Sequence, residues 1–164
     1  MTKIQKEKIE NLLTVLSVYE RIIYREIFEY AVELGYAPSM IKNAHGVFIS
    51  LAFSKSKLGK RLIKINLPGI YSTEAEFMMQ FYAATEYSDF FHEKLRQDGK
   101  AACKNQCENC AGKYTYISAN GGIAFRCAIH SLIKLSPFGA EHINEIKNLM
   151  RVQDELWLEQ RHIE

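Results

Sequence analysis

Every cysteine of this chain falls inside one stretch, and the same stretch carries a histidine at a ligand-like spacing. It reads Cys103-Lys-Asn-Gln-Cys107-Glu-Asn-Cys110, then sixteen residues, then Cys127-Ala-Ile-His130. A Cys-x-x-Cys pair on a tight turn can point two thiolates at one centre. A second pair at this distance matches the span of a zinc-ribbon half-site. The intervening residues fit that reading. Lys113–Ser118 and Gly122–Arg126 are rich in β-prone side chains, and Asn120-Gly121-Gly122 between them is a tight-turn signal, because Asn and Gly accept positive φ. A hairpin there returns Cys127 to Cys107 and Cys110, as a tetrahedral ion requires.

Five candidate ligands compete for four places. Cys107, Cys110 and Cys127 form the firm set, and the fourth is Cys103, giving a four-thiolate site, or His130, giving Cys₃His. A soft thiolate suits zinc and His130 falls toward the strand that follows, which favours Cys103. The expected cofactor is one structural zinc per chain. A catalytic zinc keeps a position open for water beside a base, and the one adjacent carboxylate, Glu108, projects from the knuckle. A redox dithiol at Cys107/Cys110 is the enzyme alternative, but that motif is expected to open a helix in a βαβ unit and here it precedes a hairpin. Ordinary free thiols are the bland alternative.

The elements that must position these residues follow from the rest of the chain. With 164 residues, 48% hydrophobic and 24% charged, it is long enough for one domain with a real core, so residues 1–164 are read as a single α+β domain. The formal charge of +2 selects no class of partner. Met1 to Lys8 lacks the apolar core of a signal peptide, and no run of eighteen apolar residues occurs. Clustered cysteines without an export signal suit a reducing compartment. The expectation is a soluble, cytoplasmic protein with no membrane partner.

Residues 3–34 read as helix, opened by a Thr2/Gln5 capping box and stopped by Gly35. One helix of that length would span about 48 Å, so either it breaks near Ser17 or one end packs on a partner, making a homodimer through this region the alternative. A second apolar set, Val15, Val18, Tyr19 and Ile22, widens the stripe. Val47–Phe53 and Arg61–Leu67 read as antiparallel strands joined by Ser54–Gly59. Lys55, Lys57, Lys60, Arg61 and Lys64 form the one basic cluster. Together with the cysteine hairpin it could make a nucleic-acid surface; equally, it is a solvated hairpin tip with lysines guarding an edge strand.

Thr73-x-x-Glu76 predicts a helix carrying Phe77 and Phe81, and Ser88–Gln97 a second one. The aromatic group Phe77, Phe81, Tyr82, Tyr87, Phe90 and Phe91 reads as core before it reads as pocket, and His92 is a lone histidine. Ser131–Leu135 reads as a strand. Ser136-Pro137 opens a closing amphipathic helix whose stripe runs through Ile143, Ile146, Leu149/Met150, Gln153 and Leu156/Trp157. No phosphate loop, dinucleotide fingerprint or Gly-x-Ser-x-Gly elbow is present, which argues against an enzyme.

The run Glu29–Gly69, with Asn43-Ala-His-Gly46 and Gly59-Lys-Arg-Leu-Ile-Lys-Ile-Asn-Leu-Pro-Gly69, resembles small uncharacterised bacterial proteins of the YdhG-like kind. The resemblance implies an α+β domain of helices around a small sheet. The architecture expected is therefore N-terminal helices, a small antiparallel sheet, a zinc-knuckle β-hairpin and a C-terminal amphipathic helix. The expected function is a small binding or regulatory module with a structural zinc site.

Overall fold

The computed structural model describes residues 1–69, 73–97, 112–128 and 132–161. Cys103, Cys107, Cys110 and His130 lie outside the described residues; Cys127 lies within them.

The N-terminal helical region is broken where the sequence allows. Helix α1 (Lys3–Leu13) starts on the reciprocal Thr2/Gln5 capping box. Helix α2 (Val18–Glu33) starts on a second box, in which Ser17 accepts from the Glu20 amide and Glu20 accepts from the Ser17 amide and hydroxyl. Glu20 interrupts the apolar stripe because it is the third residue of a helix and caps it. Gly35, at φ +89°, ends α2 in a conformation that side chains with a Cβ rarely adopt, and the Tyr36 amide closes back on Ala31 O at 3.0 Å.

Five strands follow: β1 (Ala37–Lys42), β2 (Phe48–Lys55), β3 (Lys60–Asn66), β4 (Glu76–Met79) and β7 (Ile133–Lys134). They form one antiparallel sheet in the order β1-β2-β3-β4-β7. Its register separates two faces. Leu51, Ile65 and Phe77 stand in one row, and Phe53, Ile63, Met79 and Ile133 in the next; all are buried. This face meets α2: Phe28 stacks on Phe53 at 4.9 Å and Tyr24 on Phe77 at 5.7 Å. The opposite face carries Ser50, Asn66 and Glu76 in one row and Ala52, Lys64, Met78 and Lys134 in another. A one-residue slip would exchange the faces, so burial of the first fixes the pairing.

Three expectations are corrected. Residues 76–79 are strand, although Thr73-x-x-Glu76 signals a helix start. Phe77 and Met79 face the core while Glu76 and Met78 do not, and in this position the segment completes the otherwise open edge of β3. Consequently β3 is the central strand and its lysines guard no edge; the edges are β1, where Pro38 is tolerated, and the two-residue β7. The closing helix α4 (Ile143–Arg161) begins after a 3₁₀ turn at Ala140–His142 rather than at Pro137, because the Ser136 hydroxyl instead accepts from the Phe77 amide at 3.0 Å.

Helix α3 (Asp89–Gln97) and the hairpin of β5 (Lys113–Ile117) and β6 (Ile123–Cys127) complete the described elements. Phe77, Phe81 and Phe91 are fully buried, and Tyr82, Tyr87 and Phe90 pack half-buried against the same core. Trp157 seals that core against Tyr82, donating from Nε1 to its hydroxyl at 2.7 Å. No described helix is long and apolar enough to cross a membrane.

Candidate functional site

The β5–β6 hairpin is the predicted platform for the cysteines, and its strands pair from Lys113↔Cys127 to Ile117↔Ile123. Its turn is built by short polar side chains. Gly121 sits at φ +81°, the Ser118 amide donates to Gly122 O at 2.9 Å, and Asn120 Oδ1 accepts from the Gly122 amide at 3.2 Å. Because opposed residues of an antiparallel pair share a face, Tyr114 and Arg126 point one way while Lys113, Cys127, Thr115, Phe125, Ile117 and Ile123 point the other.

The inward pair fastens the hairpin to the core. Tyr114 is fully buried with its ring 4.8 Å from that of Phe81, and its hydroxyl accepts from the Phe81 amide at 3.4 Å; burial drives the phenol pKa upward. Arg126, also buried, donates from Nη1 to Leu95 O at 3.0 Å. That carbonyl lies in the last turn of α3, where the helix dipole favours a cation. Two further bonds fix the same helix to β5: His92 Nδ1 accepts from the Ile117 amide at 3.2 Å, and Arg96 donates to Ile117 O at 3.3 Å. His92 thus holds a strand end.

The outward face is apolar and open: Ile117, Ile123 and Phe125 are 50%, 72% and 47% exposed, and Lys113 Nζ stands 4.6 Å from the Phe125 ring centroid. At the open end of the hairpin the Ala128 amide donates to Gly112 O at 3.0 Å. In the sequence Cys110 precedes Gly112 by two residues and His130 follows Ala128 by two. Among the described residues no group of three His, Cys, Asp or Glu side chains could hold a metal ion. Of the five predicted ligands, Cys127 alone is among them, half-buried and with a free thiol.

A second polar cluster was hidden in the sequence. Lys55, expected on an exposed basic tip, is withdrawn from it: its ammonium lies 2.5 Å from Asp154 Oδ1, with side-chain exposures of 15% and 8%. Tyr36, fully buried, donates its hydroxyl to the same oxygen at 2.8 Å, and its ring lies 4.8 Å below the ammonium. Burial, then that hydrogen bond, push the Tyr36 pKa upward. The pair joins the end of β2 to α4 and is structural in form: a buried charge held by one opposite charge and one phenol. The one sequence signal for it is that Gln153 and Asp154 fall on the apolar stripe of α4.

Comparison with protein-family models, with curated proteins and with solved structures returns no match.

Proposed function

We propose that this chain is a small cytoplasmic binding or regulatory module, folded as one unit over residues 1–164, in which a single structural zinc holds residues 103–130 together. Cys107, Cys110 and Cys127 are its ligands, with Cys103 or His130 in the fourth place. The observation that carries the reading is the hairpin register. It brings Cys127 opposite Lys113 and closes Gly112 on Ala128, so the two halves of the motif leave the hairpin from the same end. A two-stranded ribbon is marginal alone in water, which gives a metal clip at its open end a physical purpose. Replacing Cys110 by Ser is expected to abolish zinc retention and lower the melting temperature; unchanged zinc content and stability would refute the assignment.

Two interaction surfaces belong to the same proposal. A second copy of the chain would cover Val15, Val18, Tyr19 and Ile22, all more than half exposed on the outer side of α2 and the turn before it. These four positions are symmetric about the midpoint between Val18 and Tyr19, so two antiparallel copies would pair Val15 with Ile22 and Val18 with Tyr19, as an isologous contact demands. Sedimentation should give a dimer mass that Ile22→Glu converts to a monomer. A nucleic-acid reading is favoured by Lys113 over Phe125 on the open hairpin face. Its signature is binding to single-stranded oligonucleotides that weakens steeply with salt and is lost in Phe125→Ala.

A further inference from the structure

Between the first turns of α2, the residues leading into β4 and the loop after β7 lies a cavity of about 190 Å³. Tyr19, Tyr24 and Phe138 form its aromatic walls, Ile23 and Ala75 its aliphatic lining, and Glu20 and Glu74 contribute two carboxylates; among the described residues no lysine, arginine or histidine lines it. Tyr24 is the decisive residue. It is only 4% exposed, clamped by Phe28 and Phe77 at 5.9 and 5.7 Å and by Phe138 edge-on at 5.6 Å. Its hydroxyl nevertheless has no hydrogen-bond partner among the described residues. Tyr24 lines the cavity, so that hydroxyl is available to whatever enters. Burial raises the Tyr24 pKa and both Glu20 and Glu74 raise it further, so the two carboxylates act on this hydroxyl. Glu20 spends Oε2 on the Ser17 amide and hydroxyl, at 3.0 and 2.7 Å, leaving Oε1 uncommitted.

We propose that this cavity binds a primary alkylammonium group, as borne by a lysine side chain or a free diamine. An ammonium offers three donors and no acceptor. Here it meets the Tyr24 oxygen and Glu20 Oε1 beneath the negative field of Glu74. The methylene stem lies along Tyr19 and Phe138, whose rings also attract the cation. An anion would be repelled by both carboxylates, and a neutral alcohol would gain nothing from them. This site is independent of the zinc reading.

The experiment is a chemical-shift titration of the full chain with n-butylammonium and, in parallel, 1-butanol. Butylammonium is expected to saturate and to shift residues around Tyr24 and Phe138, with butanol at least tenfold weaker. Tyr24→Phe keeps the ring and Glu20→Gln keeps the helix cap, and each should weaken the amine about tenfold, as loss of a hydrogen bond to a charged group does. A thermal melt of each variant verifies that it is folded. Titration with 1,5-diaminopentane and with Nα-acetyl-lysine methylamide separates the sources, the tighter of the two identifying a free amine or a peptide side chain. Equal affinity for butanol, no saturable shift with the amine, or folded variants that bind as the parent does would each overturn the proposal.

Discussion

The five-stranded sheet and the β5–β6 hairpin are built from similar antiparallel pairings but are held in different ways. The sheet presents a whole face of Leu51, Phe53, Ile63, Ile65, Phe77 and Met79 to the helices, and all of these are buried. The hairpin buries little beyond Tyr114 and Arg126 and leaves Ile117, Ile123 and Phe125 open. Hydrophobic burial therefore specifies the first, whereas the second depends on a few directed bonds to α3 and, in the proposal above, on a metal. Stability in such a molecule is regional, and the two regions should fail under different insults.

The largest expected effect comes from the metal. Structural zinc contributes on the order of 10 kcal/mol to the element it folds. Cys127→Ser, or chelation of the wild type, should erase hydrogen-exchange protection in β5–β6 while β2 and β3 keep theirs; equal loss in both regions would break the distinction. Next is Asp154→Ala, which strands Lys55 and Tyr36 without their shared acceptor and should cost about 3–5 kcal/mol in denaturant unfolding. A comparable loss, about 3–5 kcal/mol, is expected for Phe53→Ala, because the sheet core cannot close over the space that ring leaves. Both should lower the global transition, in contrast to the local effect at Cys127. An Asp154 variant that melted like the parent would show that the pair adds nothing net.

The smallest effect is a pH dependence on the polar sheet face. Hydrogen bonds from Lys134 and Asn66 hold the Glu76 carboxyl below the usual carboxylate range. A carboxyl whose folded pKa is depressed adds stability above its unfolded pKa and loses it as pH falls through the folded value. Glu76→Gln should therefore lower stability modestly at neutral pH, flatten the acid limb of the stability curve below about pH 4.5, and converge with the parent at low pH. An acid limb unaltered by the substitution would count against that bond set.

Local signals in the sequence were reliable where the structure they describe is itself local. The Thr2 box, the break near Ser17, the Gly35 stop, the Asn120-Gly121-Gly122 turn and the 3.6-residue stripe of α4 each act within a few residues, and each is realised. The signals that misled were local ones overruled from a distance. The capping pattern at Thr73–Glu76 lost to the open edge of β3, and Ser136 was drawn from helix initiation to the Phe77 amide, 59 positions away. Strand β1 went unseen because Pro38 and a short, weakly alternating run carry little strand signal; its place at the edge of the sheet makes both tolerable. Lys55 could not be told from its exposed neighbours, since its partner Asp154 is 99 residues distant. The cavity beside Tyr24 is of the same kind, assembled from three separate stretches of chain.

The central claim is that a metal holds the hairpin end, and native mass spectrometry of chain purified without chelator tests it most directly, paired with thiol counts before and after denaturation. The account predicts one zinc per chain, with the cysteines unreactive until the protein is unfolded. A metal-free chain whose thiols react at once under native conditions would contradict it and turn attention to Cys107 and Cys110 as a redox pair.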